Sequence, residues 1–388
     1  MTYTFLQPYT FKNGMTVKNR IVIPPMTEAS ALQDGTVSRD ELAYFRQHTG
    51  GVGLFIGPVA NVSADGKGFE GELAITQDDF IPGLSEMAST MKRNGTKAIL
   101  QIFHAGRMTN SKILRGTQPV SASAVASPRP GMAIPRALTD TETRQIIDDF
   151  GTATRRAIQA GFDGVEIHGA NTYLIQQFFS PHSNRRQDQW GGTLENRMQF
   201  GLAVIKAVKA AVDQYATQPF LVGYRISPEE IEQPGIRLEE TLKFVDVLAQ
   251  QPLDYLHVSM GNVWRKSLND PAEQEATNLR IQKVLAGRLP LIVVGSLKTP
   301  ADVQKVMDAG ITFAALGRES LREPKWVEKV AANLEGTIRY QFNQETIAER
   351  GINNNFRKYL MGMGIDFNED GHSEGQSGMQ QSSPIFSK

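Results

Sequence analysis

Short apolar runs alternate with longer amphipathic stretches along most of the chain. Eight runs are strand-sized: Ile21–Pro25, Val52–Gly57, Lys97–Phe103, Gly164–His168, Phe220–Ile226, Tyr255–Ser259, Leu291–Gly295 and Phe313–Gly317. Gly or Pro bounds most of them, as expected of strands rather than buried helices. Between them lie helical patterns such as Asp140–Ala160, Leu194–Tyr215, Leu238–Gln250 and Ala301–Asp308. Some helix ends are legible. Thr139 followed by Glu142 forms a capping-box pattern, Gly161 suits a left-handed C-terminus, and Thr299-Pro300 sets an N-cap before a proline. Strand–helix alternation predicts a parallel sheet with helical crossovers. Eight such units predict an α/β fold closed as a (β/α)₈ TIM barrel. An open doubly wound sheet fits worse, because no Gly-x-Gly-x-x-Gly follows the first strand.

Ahead of the barrel, Asn13-Gly14 between Phe11-Lys12 and Met15-Thr16 predicts an N-terminal β-hairpin within Phe5–Val17. Two long polar stretches, Thr109–Pro135 and Ser180–Asn196, read as βα-loop insertions directly after strands, on the side where barrels keep their active sites. One domain is expected over 1–365. A Ser-, Gly- and Gln-rich tail over 366–388 is expected to be disordered.

Composition narrows the class. With 40% hydrophobic and 21% charged residues the 388-residue chain has globular proportions, and its longest apolar runs are too short to span a bilayer. Lys plus Arg balances Asp plus Glu at 41 each, which argues against nucleic acid or a membrane surface as a partner. Cysteine is absent, so disulfides, thiolate nucleophiles and Cys-held iron–sulfur clusters are excluded. A cytoplasmic enzyme or binding protein is the expectation.

Polar residues gather at the strand ends. His168 closes the fourth strand, and Asn171 and Tyr173 follow within five residues. His and Asn can donate to a carbonyl oxygen as negative charge develops on it, and a phenol beside them can deliver a proton. The same three residues could also be a self-satisfied strand end. Pro25-Met26-Thr27 follows the first strand, Gln101 lies in the third and Arg225 ends the fifth. Gln101 and Arg225 could equally pair with other polar groups inside the barrel. Gly295-Ser296 and Gly317-Arg318 end the seventh and eighth strands, where bare backbone often holds a phosphate, although tight turns alone also use such glycines.

The order of these motifs resembles the Old Yellow Enzyme family of flavin oxidoreductases, over roughly residues 5–335. The most specific stretch runs from Ser180-Pro-His-Ser-Asn184 through Arg186, Asp188 and Trp190-Gly-Gly to Glu195-Asn196-Arg197. Gln101-Ile-Phe-His-Ala-Gly-Arg107 and Leu316-Gly-Arg318 are similar to two further family motifs. The resemblance implies a bound FMN and NADPH or NADH as hydride donor. Pro25, Met26 and Thr27 would line the flavin, Gln101 would bind its pyrimidine edge, and Arg225 would sit by N1 and C2=O. Gly295, Ser296, Gly317 and Arg318 would cradle the phosphate. His168 and Asn171 would bind the carbonyl or nitro oxygen of an electron-poor alkene, and Tyr173 would protonate its α-carbon.

The match has departures. One branch of the family carries a tyrosine shortly after the first strand, where this chain has Glu28-Ala29-Ser30. That branch also borrows a C-terminal arginine from a neighbouring subunit, so a homo-oligomer is an open expectation. Arg350 is a nominal equivalent, but it reads as a solvated helix residue. The rival readings are a demethylating or aromatizing relative, a non-catalytic flavin-binding redox sensor, and a phosphate-binding aldolase or isomerase. The last needs a strand-borne Lys or Glu base that these strand ends do not clearly offer.

Overall fold

A computed structural model describes residues 3–342, 347–365 and 367. The eight expected strands are present: β1 (Ile21–Ile23), β2 (Leu54–Asn61), β3 (Lys97–Phe103), β4 (Gly164–Gly169), β5 (Leu221–Ile226), β6 (Tyr255–Ser259), β7 (Leu291–Val294) and β8 (Phe313–Ala315). All neighbours pair in parallel, and β8–β1 and β1–β2 pairings close the cylinder. The fold is a (β/α)₈ barrel, with the open doubly wound sheet ruled out by that closure.

Helices wrap the outside where the sequence showed amphipathic stretches. The expected caps form: Thr139 and Glu142 cap each other's backbone N–H groups, as do Thr299 and Asp302, and Gly161 adopts φ +84°. The hairpin also forms, pairing Tyr9 with Val17 and Thr10 with Thr16. Its turn is looser than Asn-Gly suggests. Only Gly14 is left-handed, and Asn13 uses its side-chain oxygen to accept from the N–H of Met15.

The hairpin has a structural task. Phe11, Met15 and Val17 pack with inward residues of seven strands, among them Leu54, Ile99, Tyr255 and Phe313, and close the barrel floor with an apolar plug. Above that floor the interior turns polar, with Gln101, Glu166 and His257, then His168 and Arg225, all buried. The chemistry therefore sits toward the strands' C-terminal ends.

Two expectations need correction. Ser180–Asn196 does not follow a strand directly, because a short helix, α1 (Leu174–Phe179), intervenes after β4. Arg350 is not solvated. It is 1% exposed and lies over Phe342 at 5.8 Å, with no hydrogen-bond partner for its guanidinium nitrogens among the described residues. The expected tail, 366–388, lies outside the described residues apart from Phe367, which is buried against Phe342 with ring centroids 4.8 Å apart. No helix among the described residues is long and apolar enough to cross a membrane.

One buried group makes a stability prediction. His48, at the end of helix Arg39–His48, directs Nδ1 to the Tyr44 carbonyl at 2.8 Å. Burial, the larger cause, and the charges of Lys325 and Arg350 push its pKa down from 6.5 to about 3. Unfolding lets His48 take up a proton at its ordinary pKa. Its contribution is therefore complete above pH 6.5 and is lost as pH falls toward 3, by a few kcal/mol at most. Denaturant titrations of His48→Gln should show a shallower acid limb than wild type. Parallel limbs would refute this.

Candidate active site

The mouth of the barrel gathers the three residues at the end of β4. The His168 and Tyr173 rings meet edge to face at 5.0 Å, and Tyr173 also meets Phe103 at 4.8 Å. The N–H of Ala170 donates to His168 Nδ1 at 3.2 Å. That bond leaves Nδ1 without a proton and puts the ring's N–H on Nε2. Burial, with the charges of Arg225 and His257, holds His168 neutral well below its ordinary pKa. It is a neutral donor over a wide pH range.

Asn171 reaches the mouth on an unusual backbone, with left-handed φ at both Asn171 (+55°) and Thr172 (+67°). Non-glycine residues hold such angles only when surroundings over-determine them. Two glutamines of α1 do so. Gln176 Oε1 accepts from the Thr172 N–H at 3.0 Å, and Gln177 Nε2 donates to the Thr172 carbonyl at 2.7 Å. Gln177 also binds the Ala105 carbonyl, the Arg107 N–H and the Ser121 hydroxyl, so one amide clamps the β3 and β4 loops together. Gly106 is required there, since a Cβ would lie 2.1 Å from Gln177 Oε1. Ser259 Oγ donates to Asn171 Oδ1 at 2.9 Å, which leaves the Asn171 amide NH₂ as the free end. Ser259 in turn accepts from Arg225 at 3.1 Å, joining β4, β5 and β6.

Tyr173 keeps its proton. Burial first, then the neighbouring Tyr359 and Glu72, raise its pKa above the ordinary phenol value. Glu72 is itself buried, with Oε2 accepting from the Gly68 N–H and Oε1 unpartnered among the described residues. Tyr359 comes from helix Asn354–Gly362, which docks on the β1 loop where Asn353 donates to Ser30 Oγ at 2.8 Å. The Glu28-Ala29-Ser30 departure is thus a docking point for that helix.

The remaining candidates ring the same mouth. Pro25, Met26 and Thr27 are partly exposed after a buried strand. Gln101 is buried, with Nε2 committed to Glu166 at 2.6 Å and Oε1 left over, so pairing inside the barrel and a free acceptor coexist. Arg225 is buried, and its Nε has no partner among the described residues. Gly295 and Ser296 turn at φ +134° and +53°. Gly317 opens toward Pro24 and Met26, and the partly exposed Arg318 side chain makes no ion pair among the described residues.

The long signature stretch plays a different part. Asn184 donates to the Phe178 and Trp190 carbonyls, and Asp188 accepts from Arg186 and the Trp190 N–H. Arg197 donates to the Phe179 carbonyl and to Glu240. These groups satisfy one another around α1, so they support the site from behind. Sequence reasoning missed Glu166, His257, Ser259 and Gln177. Glu166, His257 and Ser259 carried a usable signal, as polar residues at alternate positions with His168 or with each other within buried strands.

This donor set suits FMN. A buried cation matches the ring pole that gains charge on reduction, a free amide oxygen matches an N–H at the ring edge, and glycine turns suit a phosphate. Fold and mouth together define a barrel flavin oxidoreductase. Comparison with known proteins gives the family: the pattern of the NADH:flavin oxidoreductase / NADH oxidase family matches residues 4–337, and the chain belongs to it. The Old Yellow Enzyme type of NAD(P)H flavin oxidoreductases belongs to this family, and the barrel is of that type. The chain is 43% identical over 333 residues to an NADH:fumarate oxidoreductase of Klebsiella pneumoniae, covering 85% of this chain and 36% of that protein. It is 44% identical to a probable NADH-dependent flavin oxidoreductase of Bacillus subtilis, covering 86% and 89%. The solved Old Yellow Enzyme homologue of Zymomonas mobilis shares 26% identity at a TM-score of 0.74, covering 85% and 93%. The chain thus spans about a third of the first relative and most of the other two.

Proposed function

We propose that the chain reduces the carbon–carbon double bond of α,β-unsaturated carbonyl or nitro compounds. The observation that carries this reading is the convergence of His168 Nε2–H, the free amide end of Asn171 and the protonated Tyr173 at one barrel mouth. FMN bound at this mouth would supply the hydride chemistry that links NAD(P)H to an electron-poor carbon. The residues do the rest. His168 and Asn171 hold the substrate's activating oxygen and draw electron density toward it, which leaves the β-carbon electrophilic. Tyr173 gives its proton to the α-carbon. Gln101 Oε1 and Arg225 would hold the ring's polar edge, Pro25, Met26 and Thr27 would line its face, and Gly295, Ser296, Gly317 and Arg318 would hold the phosphate. A cytoplasmic site of action is part of this reading, since the cytoplasm supplies NAD(P)H.

The name of the Klebsiella relative favours a second reading, in which an unsaturated carboxylic acid such as fumarate is the final electron acceptor. Steady-state NADH oxidation with cyclohexenone, a nitroalkene and fumarate in parallel separates the two. Turnover with the first two supports the proposal, and turnover with fumarate alone overturns it.

His168→Ala should weaken binding of a phenol ligand about tenfold or more, as expected for losing a hydrogen bond in a desolvated site. Because burial keeps His168 neutral, wild-type affinity should show no His-like break between pH 6 and 7. Spectral titration of the bound flavin measures both. A break near 6.5, or unchanged affinity in the variant, would count against the assignment.

A further inference from the structure

The barrel interior behind the mouth holds a charge that the proposed chemistry does not use. Glu166 stands two residues before His168 on β4, so strand alternation turns both side chains inward. Its side chain and that of His257 have no exposure at all. A carboxylate so buried is costly unless its oxygens are satisfied. Here they are divided. Oε1 accepts from Gln101 Nε2 at 2.6 Å, and Oε2 lies 2.9 Å from His257 Nδ1. Burial pushes the Glu166 pKa up, but His257, Arg225 and Gln101 more than offset this and keep it ionised. Burial depresses His257 in spite of the carboxylate, so the pair carries one negative charge, with His257 donating through Nδ1.

Two consequences follow for the neighbours. An ionised carboxylate can only accept, so it fixes the Gln101 amide with NH₂ inward and the carbonyl oxygen outward. Its charge also acts on Arg225, whose guanidinium has no other carboxylate partner among the described residues. We propose that Glu166 is a positioning residue for the flavin: it sets which end of Gln101 meets the ring's pyrimidine edge and moderates the pull of Arg225 on the reduced ring. The proposal rests on FMN occupying this mouth, as inferred above.

The test uses the flavin-loaded full chain. Glu166→Gln keeps the shape and removes the charge, leaving Arg225 unopposed. The ratio of reduced to oxidised FMN affinity should rise about tenfold, a potential shift of about +30 mV for a two-electron couple. Glu166→Asp keeps the charge but withdraws its oxygens from Gln101. Its potential should stay near wild type, while oxidised-FMN affinity falls about tenfold, the worth of one charge-assisted hydrogen bond. Potentials come from dye equilibration and affinities from fluorescence titration of flavin-free protein. FMN-bound Glu166→Gln with an unchanged potential would overturn the proposal, as would Glu166→Asp with unchanged affinity. If Glu166→Gln does not fold, Glu166→Asp alone decides. Wild-type protein that takes up no FMN would overturn the functional reading itself and this proposal with it.

Discussion

Replacing Tyr173 with phenylalanine is expected to slow alkene reduction about 100-fold or more while leaving reduction of the bound flavin by NAD(P)H within about threefold. The selectivity follows from what the change removes. The ring keeps its contacts with His168 and Phe103, so the mouth keeps its shape. Only the hydroxyl is lost, and its proton is needed when the α-carbon takes up charge, not when the nicotinamide gives hydride away. The surroundings favour a donor, since burial, Tyr359 and Glu72 all hold the proton on the phenol. Anaerobic stopped-flow traces of the two half-reactions decide the matter. Equal losses in both would refute the acid role and point to a packing defect.

Gly295→Ala should weaken FMN binding about tenfold to 100-fold without unfolding the barrel, the scale of 1–3 kcal/mol of backbone strain. At φ +134° an added Cβ lies 2.5 Å from the Met260 carbonyl oxygen and 2.6 Å from the Asn262 N–H nitrogen. Both are backbone atoms, so relief requires the turn itself to move, and with it the groups proposed to hold the phosphate. Gly317 makes a useful control. A Cβ there meets nothing closer than Pro24 Cγ at 3.6 Å, so Gly317→Ala meets no steric block and should fold. Fluorescence titration measures the affinity and circular dichroism the fold. Unchanged FMN affinity in Gly295→Ala would remove the β7 turn from the phosphate site.

The barrel was legible because its strands are buried on both faces and therefore read as continuous apolar runs. The trio at the end of β4 was legible because three polar residues follow such a run closely. Other features were hidden for stated reasons. The short helix α1 has six residues, all buried, and no polar face to give it a helical period. Glu166 and Ser259 sit singly among apolar neighbours, and their meaning depends on partners about 60 to 90 residues away. Arg350 looked solvated because nothing in its local sequence reveals Phe342 packed against it. The long signature stretch illustrates the reverse case. It was the most specific motif, yet its side chains brace α1 and leave the mouth to plainer residues.

One barrel mouth is expected to hold FMN and to serve hydride donor and alkene in turn. Anaerobic double-mixing tests it most directly: flavin-loaded protein is reduced with one equivalent of NADH or NADPH, then mixed with cyclohexenone. The flavin absorbance should be lost and then return at a rate that saturates with cyclohexenone, with one equivalent of cyclohexanone formed and both phases slowed by a phenol. Flavin that bleaches with NAD(P)H but is not reoxidised by the enone, or protein that binds no flavin, would contradict it.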